Sequence, residues 1–406
     1  MKVLIAAVSH ATSISGVQRH ALNMVRCLLP RQETDEIHFV VAPWQCRMVE
    51  AARLPVDHRL QIHIADIDRG SLSRNLWHYR KLPELAKQLN ADVVHLSYPV
   101  PLNARAFPCP TVVTLHDMYP YEIPMNFGFP KFLFNRAILR QCLRAADAIA
   151  CVSDATRMRL KQYAPAGVWK KAVRIYNCVE SELIAEANSP IPRWKGETFL
   201  LCIAQHRRNK NIPLLIRAFD RLLRSEWIDA QSKLIVIGMR GPETASIHRL
   251  VRETRRERSV HLLEGLSETE LQWCYRNCAA LVAPSLTEGF GLPIAEGLLA
   301  GCRVVCSNIP AHREIGERSC QFVTLREHPA QALAAAIADT LHEPKPEPIE
   351  LPQFSAAALA EDYWALYRRL IASAASAWST GPAIAPGADI SITVPESQSA
   401  LVYRGK

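Results

Sequence analysis

The sequence predicts an α/β protein built from two doubly wound, Rossmann-like parallel-sheet domains facing each other across a cleft. Three observations carry that reading. Short β-branched apolar runs recur along the chain, each followed by a segment with helical periodicity. The runs are almost wholly apolar, as strands covered on both faces must be. The pattern holds to about residue 180, breaks at NSPIPRWKGE (188–197) and restarts. Two prolines, a glycine and charges at that break read as a linker between domains.

Taken in order, MKVLIAAV reaches polar Ser9 and His10 without a small-residue cleavage site. It reads as the first buried strand, not a secretory leader. A helix is expected over Val17–Leu29. EIHFVVA, DVVHL, TVVTLHD and AIACVS are the further strands of the first half. FLLCIA, KLIVIG, VHLLEG, ALVAPS and RVVCSN are those of the second. Helical patterns lie over Pro213–Leu223, Thr244–Arg255, Thr269–Arg276 and Pro293–Ala300. HEPKPEPIELP (342–352) is a proline-rich connector, and AAALAEDYWALYRRLIASA is a last amphipathic helix. The expected organisation is therefore a first domain over 1–187, a second over 196–350, a helix over 353–375 packing back on the first domain, and a disordered tail over 376–406 in which ISITV pairs weakly at most.

The 406 residues are 49% apolar and 21% charged, the composition of a globular protein. A net charge of +9 suits nucleic acid, an anionic membrane or a phosphorylated substrate, and equally a plain solubilising excess. Twelve cysteines sit in apolar contexts such as LLCIA and AIACVS, so they read as reduced core thiols. Cys274/Cys278 and Cys302/Cys306 lack the usual ligand spacing of a zinc site. No apolar run approaches the ~20 residues of a membrane span, and a cytoplasmic location is expected.

The chemistry concentrates in PSLTEGFGLPIAEGLLAG (284–301). A strand enters a loop there, and Pro293 opens a helix where a missing N–H costs nothing. Gly289 and Gly291 let the backbone approach a ligand closely. The free amides at that helix start favour a phosphate. Glu296, just inside the helix, cannot favour phosphate and better accepts hydroxyls such as a ribose diol. Glu288, at the cleft edge, is placed to hold sugar hydroxyls or to stabilise developing positive charge. A diphosphate between two hydroxyl-binding acids describes a nucleotide sugar. The competing reading is a capped helix with two surface acids.

EGFGLPIAEGLLAG resembles the Glu-x7-Glu signature of the retaining glycosyltransferases of family 4, which have the GT-B fold. SGVQRHALNMVRCLL, TLHD, VSDATRMRL, IYNCVE, NKNIPLLIRAF and LSETELQWCYRNCAALVAPS extend the resemblance over about residues 1 to 375. It implies a donor diphosphate against the backbone of Gly16 and of Gly289, Phe290, Gly291 and Leu292. The family's glycine pair is Ser15-Gly16 here. His116 is implied beside the transferred sugar, through its carbonyl or ring, with Asp117 orienting it or capping the next turn. In AQHRRNKN (204–211), Lys210 matches the family's lysine. The family's Gly-Arg is Ala204-Gln205, so Arg207 or Arg208 is expected to supply the second cation. Gly238 and Gly265-Leu266 are implied to hold the base through backbone groups.

No Asp-x-Asp sits in a suitable loop; Asp66-Ile67-Asp68 fits the letters but lies in the acceptor half. No metal or other cofactor is therefore expected, and helix dipoles with Lys/Arg neutralise the diphosphate. Phe127, Phe129, Phe132 and Phe134 alternate with Lys131, Arg136, Arg140 and Arg144 over 126–147, which reads either as a helix docking on an anionic membrane or as an ordinary amphipathic helix. The expected activity is transfer of a hexose, with a lean toward mannose, from a nucleotide sugar to a saccharide or lipid-linked acceptor in surface polysaccharide assembly. A nucleotide-sugar epimerase, a scaffold derived from a transferase and a basic nucleic-acid-binding protein are the rival classes. The last fits worst, because the paired acids would repel phosphates.

Overall fold

A computed structural model describes residues 1–12, 14–180 and 189–379, with side chains up to residue 375. Strands β1 (Lys2–Ala6), β2 (Glu36–Val41), β3 (Leu60–Ile64), β4 (Val93–Leu96), β5 (Thr111–Leu115), β6 (Ala148–Cys151) and β7 (Ala172–Arg174) form a parallel sheet in the order β3-β2-β1-β4-β5-β6-β7. A second parallel sheet contains β8 (Phe199–Ile203), β9 (Lys233–Ile237), β10 (Val260–Leu263), β11 (Ala280–Ala283), β12 (Val304–Ser307) and β13 (Gln321–Val323), in the order β10-β9-β8-β11-β12-β13. Both orders reverse once, between β1 and β4 and between β8 and β11. In open α/β sheets, ligands sit beyond the strand ends at such switch points.

The ten apolar runs all form strands. Three short edge strands were not foreseen. β3 leaves Ile62 and Ile64 exposed, while β7 and β13 have three residues each. An edge strand packs too little surface to need a continuous apolar run. Each sheet is covered on both faces. Val3, Ile5 and Phe39 face one cluster and Leu4, Val40 and Val94 the other; Leu200, Val236 and Val282 oppose Leu201, Ile235 and Leu281 in the second sheet.

The last helix runs Ala356–Ser379, and its Leu359, Tyr363, Leu366 and Tyr367 join the cluster around Val3 and Phe39. The chain thus returns to the first sheet after completing the second. The expected tail lies outside the described residues beyond Ser379, as does part of the expected linker, 188. The aromatic-basic stretch is not one helix over 126–147. A short turn at Pro124–Asn126 precedes a helix over Lys131–Ala145. All twelve cysteines are free and nine are buried. Among the described residues no group of His, Cys, Asp and Glu is arranged to hold a metal ion, and no helix is long and apolar enough to cross a membrane.

Candidate active site

The loops that follow β8 and β11 meet at the switch point of the second sheet. The β11 loop turns at Gly291, whose φ of 113° only glycine adopts without strain, into a helix over Leu292–Leu299. Pro293 is the second residue of that helix, one place later than the sequence suggested. Its missing N–H costs no intrahelical bond there, and the next two amides, of Ile294 and Ala295, turn to the Gly291 carbonyl. Glu296 is the fifth helical residue, so its side chain leaves the helix a turn beyond its start.

Glu288 and Lys210 form the centre. The Lys210 ammonium lies 2.5 Å from Glu288 Oε1, which also accepts from the Ser285 hydroxyl at 2.6 Å. Glu288 Oε2 accepts from the Tyr119 hydroxyl at 3.1 Å, and the Asn209 amide donates to that hydroxyl at 3.0 Å. Burial pushes the Glu288 carboxyl up. The Lys210 charge and the bonds from Lys210 and Ser285 outweigh it, and hold the group below the usual carboxylate range. His312, buried beneath, stays neutral, its pKa lowered to about 4 by burial. The site therefore presents an ionised carboxylate with an adjacent ammonium.

Glu296 sits apart from this pair. Its Oε2 accepts from the Tyr275 hydroxyl at 2.6 Å, and its Oε1 from Arg19 of the first domain at 3.2 Å. Arg19 also pairs with Glu268 at 2.9 Å. Burial raises the Glu296 carboxyl against the pull of Arg19. Both oxygens that were expected to receive a ribose are engaged here by the protein itself.

Across the cleft, the loop after β5 carries His116 and Asp117. The imidazole Nε2 donates to the Ser97 carbonyl at 2.9 Å, and burial lowers the pKa to about 4, so the ring is neutral with Nδ1 bare. The His116 carbonyl accepts from Thr156 at 3.3 Å and abuts Gly289, where a Cβ would lie 1.6 Å from it. Of the two groups implied beside the sugar, the carbonyl is thus held in the domain contact. Asp117 caps the next turn by accepting from the Tyr119 amide at 3.0 Å, and burial lifts its carboxyl to about 6.

The other expected residues fall into two groups. Gly16 begins the helix Gly16–Leu28 and faces Leu292, 3.9 Å from a built Cβ, so the two helix starts oppose each other. Arg207 lies within the electrostatic reach of Asp117 and Tyr119, while Arg208 donates its amide to Asn126 at 3.2 Å. Gly238 is needed for packing: a Cβ there would lie 2.0 Å from the Ala204 carbonyl. Gly265 turns with φ 74° into open space beside the half-buried Leu266. The Phe290 ring is buried against Tyr176 and Phe354, which leaves only its backbone to a ligand.

Sequence reading missed Tyr119, Asn209, Ser285, Arg19, Tyr275 and His312. Tyr119, Ser285 and Asn209 carry a legible signal, since each lies within three residues of a singled-out charge. The other three arrive from distant segments.

Two doubly wound sheets whose switch-point loops close on one another have the GT-B architecture. The family comparisons agree: residues 14–183 match the model described as Glycosyltransferase Family 4, and residues 185–353 match Glycosyl transferases group 1. The chain belongs to the GT-B glycosyltransferases, with a family 4 domain followed by a group 1 domain. Similar curated proteins include the O-antigen chain mannosyltransferase B of Escherichia coli, 24% identical over 341 residues, 78% of this chain and 84% of that protein. The O-antigen chain mannosyltransferase RfbU of Salmonella typhimurium is 27% identical over 211 residues, 52% of this chain and 56% of that one. Among solved structures, Anabaena HepE in complex with UDP and glucose superposes with a TM-score of 0.61 at 16% identity, covering 94% of this chain and all of that one. WaaG, a glycosyltransferase involved in lipopolysaccharide biosynthesis, gives 0.62 at 14% identity over 94% and 100%. At these identities the structures speak to fold alone.

Proposed function

We propose that the protein is a retaining hexosyltransferase that moves mannose from a nucleoside diphosphate sugar to a saccharide or lipid-linked acceptor in surface polysaccharide assembly. The observation that carries the reading is the part-buried Lys210–Glu288 pair at the switch point, beside the positive end of the helix Leu292–Leu299. A leaving diphosphate needs a cation and oriented amides where its charge develops. Glu288 is ionised, next to where an oxocarbenium-like sugar would form. The mannosyltransferase relatives support the choice of sugar and of pathway.

In this reading the donor's C1–O bond to phosphate breaks as the acceptor oxygen bonds to C1 on the same face. The acceptor proton passes to the departing phosphate oxygen. Lys210 and the amides of Gly289–Leu292 hold the diphosphate, and Arg207 or Arg208 adds charge. Glu288 and the His116 ring position the sugar. Glu296 takes the ribose after exchanging Arg19 for it. Gly265 and Leu266 border the base. No metal is required where Lys210 and the helix amides supply the charge.

Met125, Phe129, Leu133 and Phe134 are exposed beside Lys131 and Arg140, which supports peripheral contact with an anionic membrane. The test of the activity is a thermal-unfolding screen of GDP- and UDP-sugars, followed by NMR of the glycoside formed. Protection by one sugar nucleotide and an axial linkage from an axial donor are expected. Isomerisation of donor without acceptor, or an inverted product, would falsify the reading.

A further inference from the structure

Two buried histidines close to His116 have no part in the site described above. His20 lies on the helix Gly16–Leu28 and His95 on β4, 3% and 0% exposed. Thr114 of β5, two residues before His116, joins them. Its hydroxyl oxygen is 3.0 Å from His20 Nε2 and 2.8 Å from His95 Nε2. The other ring nitrogens are engaged as well. His95 Nδ1 meets the Tyr367 hydroxyl of the last helix at 2.5 Å. His20 Nδ1 meets Asn177 Oδ1, in the segment after β7, at 2.8 Å.

Counting protons gives this chain one direction. Among the described residues the buried Tyr367 hydroxyl has the His95 ring as its one partner. It therefore donates, because accepting would strand its own proton in the core. His95 Nδ1 is then bare, and its Nε2–H donates to the Thr114 oxygen. The Thr114 proton goes on to His20 Nε2, and His20 Nδ1–H ends on the Asn177 amide oxygen. Both rings must be neutral for this, since an imidazolium has two donors and no acceptor. Burial keeps them so: it lowers the His95 pKa to about 3 and that of His20 well below its ordinary value.

The His20 ring also touches the site. It meets the His116 ring edge to face, with 89° between the planes and 4.8 Å between centroids. Among the described residues the His116 ring makes one hydrogen bond, to the Ser97 carbonyl. A single bond leaves a ring free to pivot about it, and the His20 ring removes that freedom. A side chain in a reacting centre is placed only as firmly as the residues that hold it. We infer that His20 and Thr114 are positioning residues of the transfer: the chain from Tyr367 to Asn177 fixes the His20 ring, and His20 fixes the His116 ring against the sugar. The inference rests on the transferase reading for the presence of that sugar. It gives the last helix a second task, since Tyr367 supplies the proton that sets the direction of the chain.

Nitrogen-15 NMR of the histidine rings, together with turnover of GDP-mannose, is the test. At neutral pH the His20 proton should sit on Nδ1 and those of His95 and His116 on Nε2. Thr114→Val keeps the shape of the side chain and cuts the chain. It should move the His116 ring resonances and lower kcat roughly tenfold or more, with calorimetric GDP-mannose affinity within about twofold of native. Thr114→Ser restores the hydroxyl and should return kcat to within about threefold of native. Tyr367→Phe should move the His95 resonances and lower kcat about twofold or more. A His20 proton on Nε2 overturns the inference, as does native kcat in Thr114→Val. So does an equal loss of kcat and affinity there, which marks a residue that only supports the fold. Should Thr114→Val unfold, the tautomers of the unaltered protein and Tyr367→Phe carry the test, and unmoved His95 resonances or native kcat in that variant count against it. If the unaltered protein neither binds nor turns over GDP-mannose or any other GDP- or UDP-sugar, the transferase reading fails, while the His116 resonances in Thr114→Val still report on the positioning.

Discussion

Replacing Lys210 by alanine tests the centre of the site, because two readouts move together. The ammonium lies 2.5 Å from Glu288, and the two side chains are 19% and 9% exposed. Removing one partner of a buried pair costs about 3–5 kcal/mol. The Ser285 and Tyr119 hydroxyls still donate to Glu288, so the expected loss is at the low end, about 3 kcal/mol. The pH dependence fixes the cause. In the native protein Glu288 is held below its ordinary value, so its contribution to stability is present above the unfolded pKa and lost as pH falls through the folded one. Without the cation, burial dominates and the carboxyl rises. Its contribution is then present at low pH and lost as pH rises. The stability gap between the two proteins should therefore widen from the ordinary glutamate range up to neutral pH. Turnover should fall roughly 10²–10³-fold, the loss seen when one charge-stabilising donor is removed. Urea unfolding at several pH values, with steady-state transfer, measures both. Adding Glu288→Gln should restore part of the stability and none of the turnover. A stability gap independent of pH, or turnover within threefold of the native rate, refutes the reasoning.

Four further outcomes follow from the same geometry. Gly289→Ala places a carbon 1.6 Å from the His116 carbonyl, so the domains cannot close; turnover should fall by roughly 10²-fold or more while calorimetric nucleotide affinity stays within threefold. Arg19→Met breaks the pairs to Glu296 and Glu268 and should lower stability by about 1.5–3 kcal/mol in guanidinium unfolding; a change too small to measure contradicts a latch there. Transfer measured in excess chelator should change less than twofold, and a large loss would assign a metal to the site. Phe129→Ser/Phe134→Ser should abolish sedimentation with anionic vesicles and leave transfer to a short soluble acceptor intact; unchanged sedimentation removes these side chains from any membrane contact.

How much could be read from the sequence depended on how far apart the interacting residues lie. Buried strands such as KLIVIG announce themselves, because both faces must be apolar. β3 does not, since Ile62 and Ile64 face outward at an edge. Lys210 and Glu288 were legible because each sits in a loop after an apolar strand, where α/β ligands bind. That they touch each other was not legible. The second sheet places β8 next to β11 although 76 residues separate Ile203 from Ala280. The Tyr119–Glu288 and Arg19–Glu296 contacts escaped for the same reason, since no local pattern marks a partner in the other domain, and Tyr275 meets Glu296 from a different helix of its own domain. Gly238, a glycine before a loop, has a packing reason that the sequence did not show: the Ala204 carbonyl leaves no room for a Cβ.

The most direct measurement is the structure of the protein with GDP or UDP bound. The diphosphate should lie on the amides of Gly289–Leu292 within reach of Lys210, with the ribose hydroxyls on Glu296 and the Arg19 guanidinium displaced from it. A nucleotide seated elsewhere, or a crevice still closed by the Arg19–Glu296 pair at saturating ligand, would contradict the account.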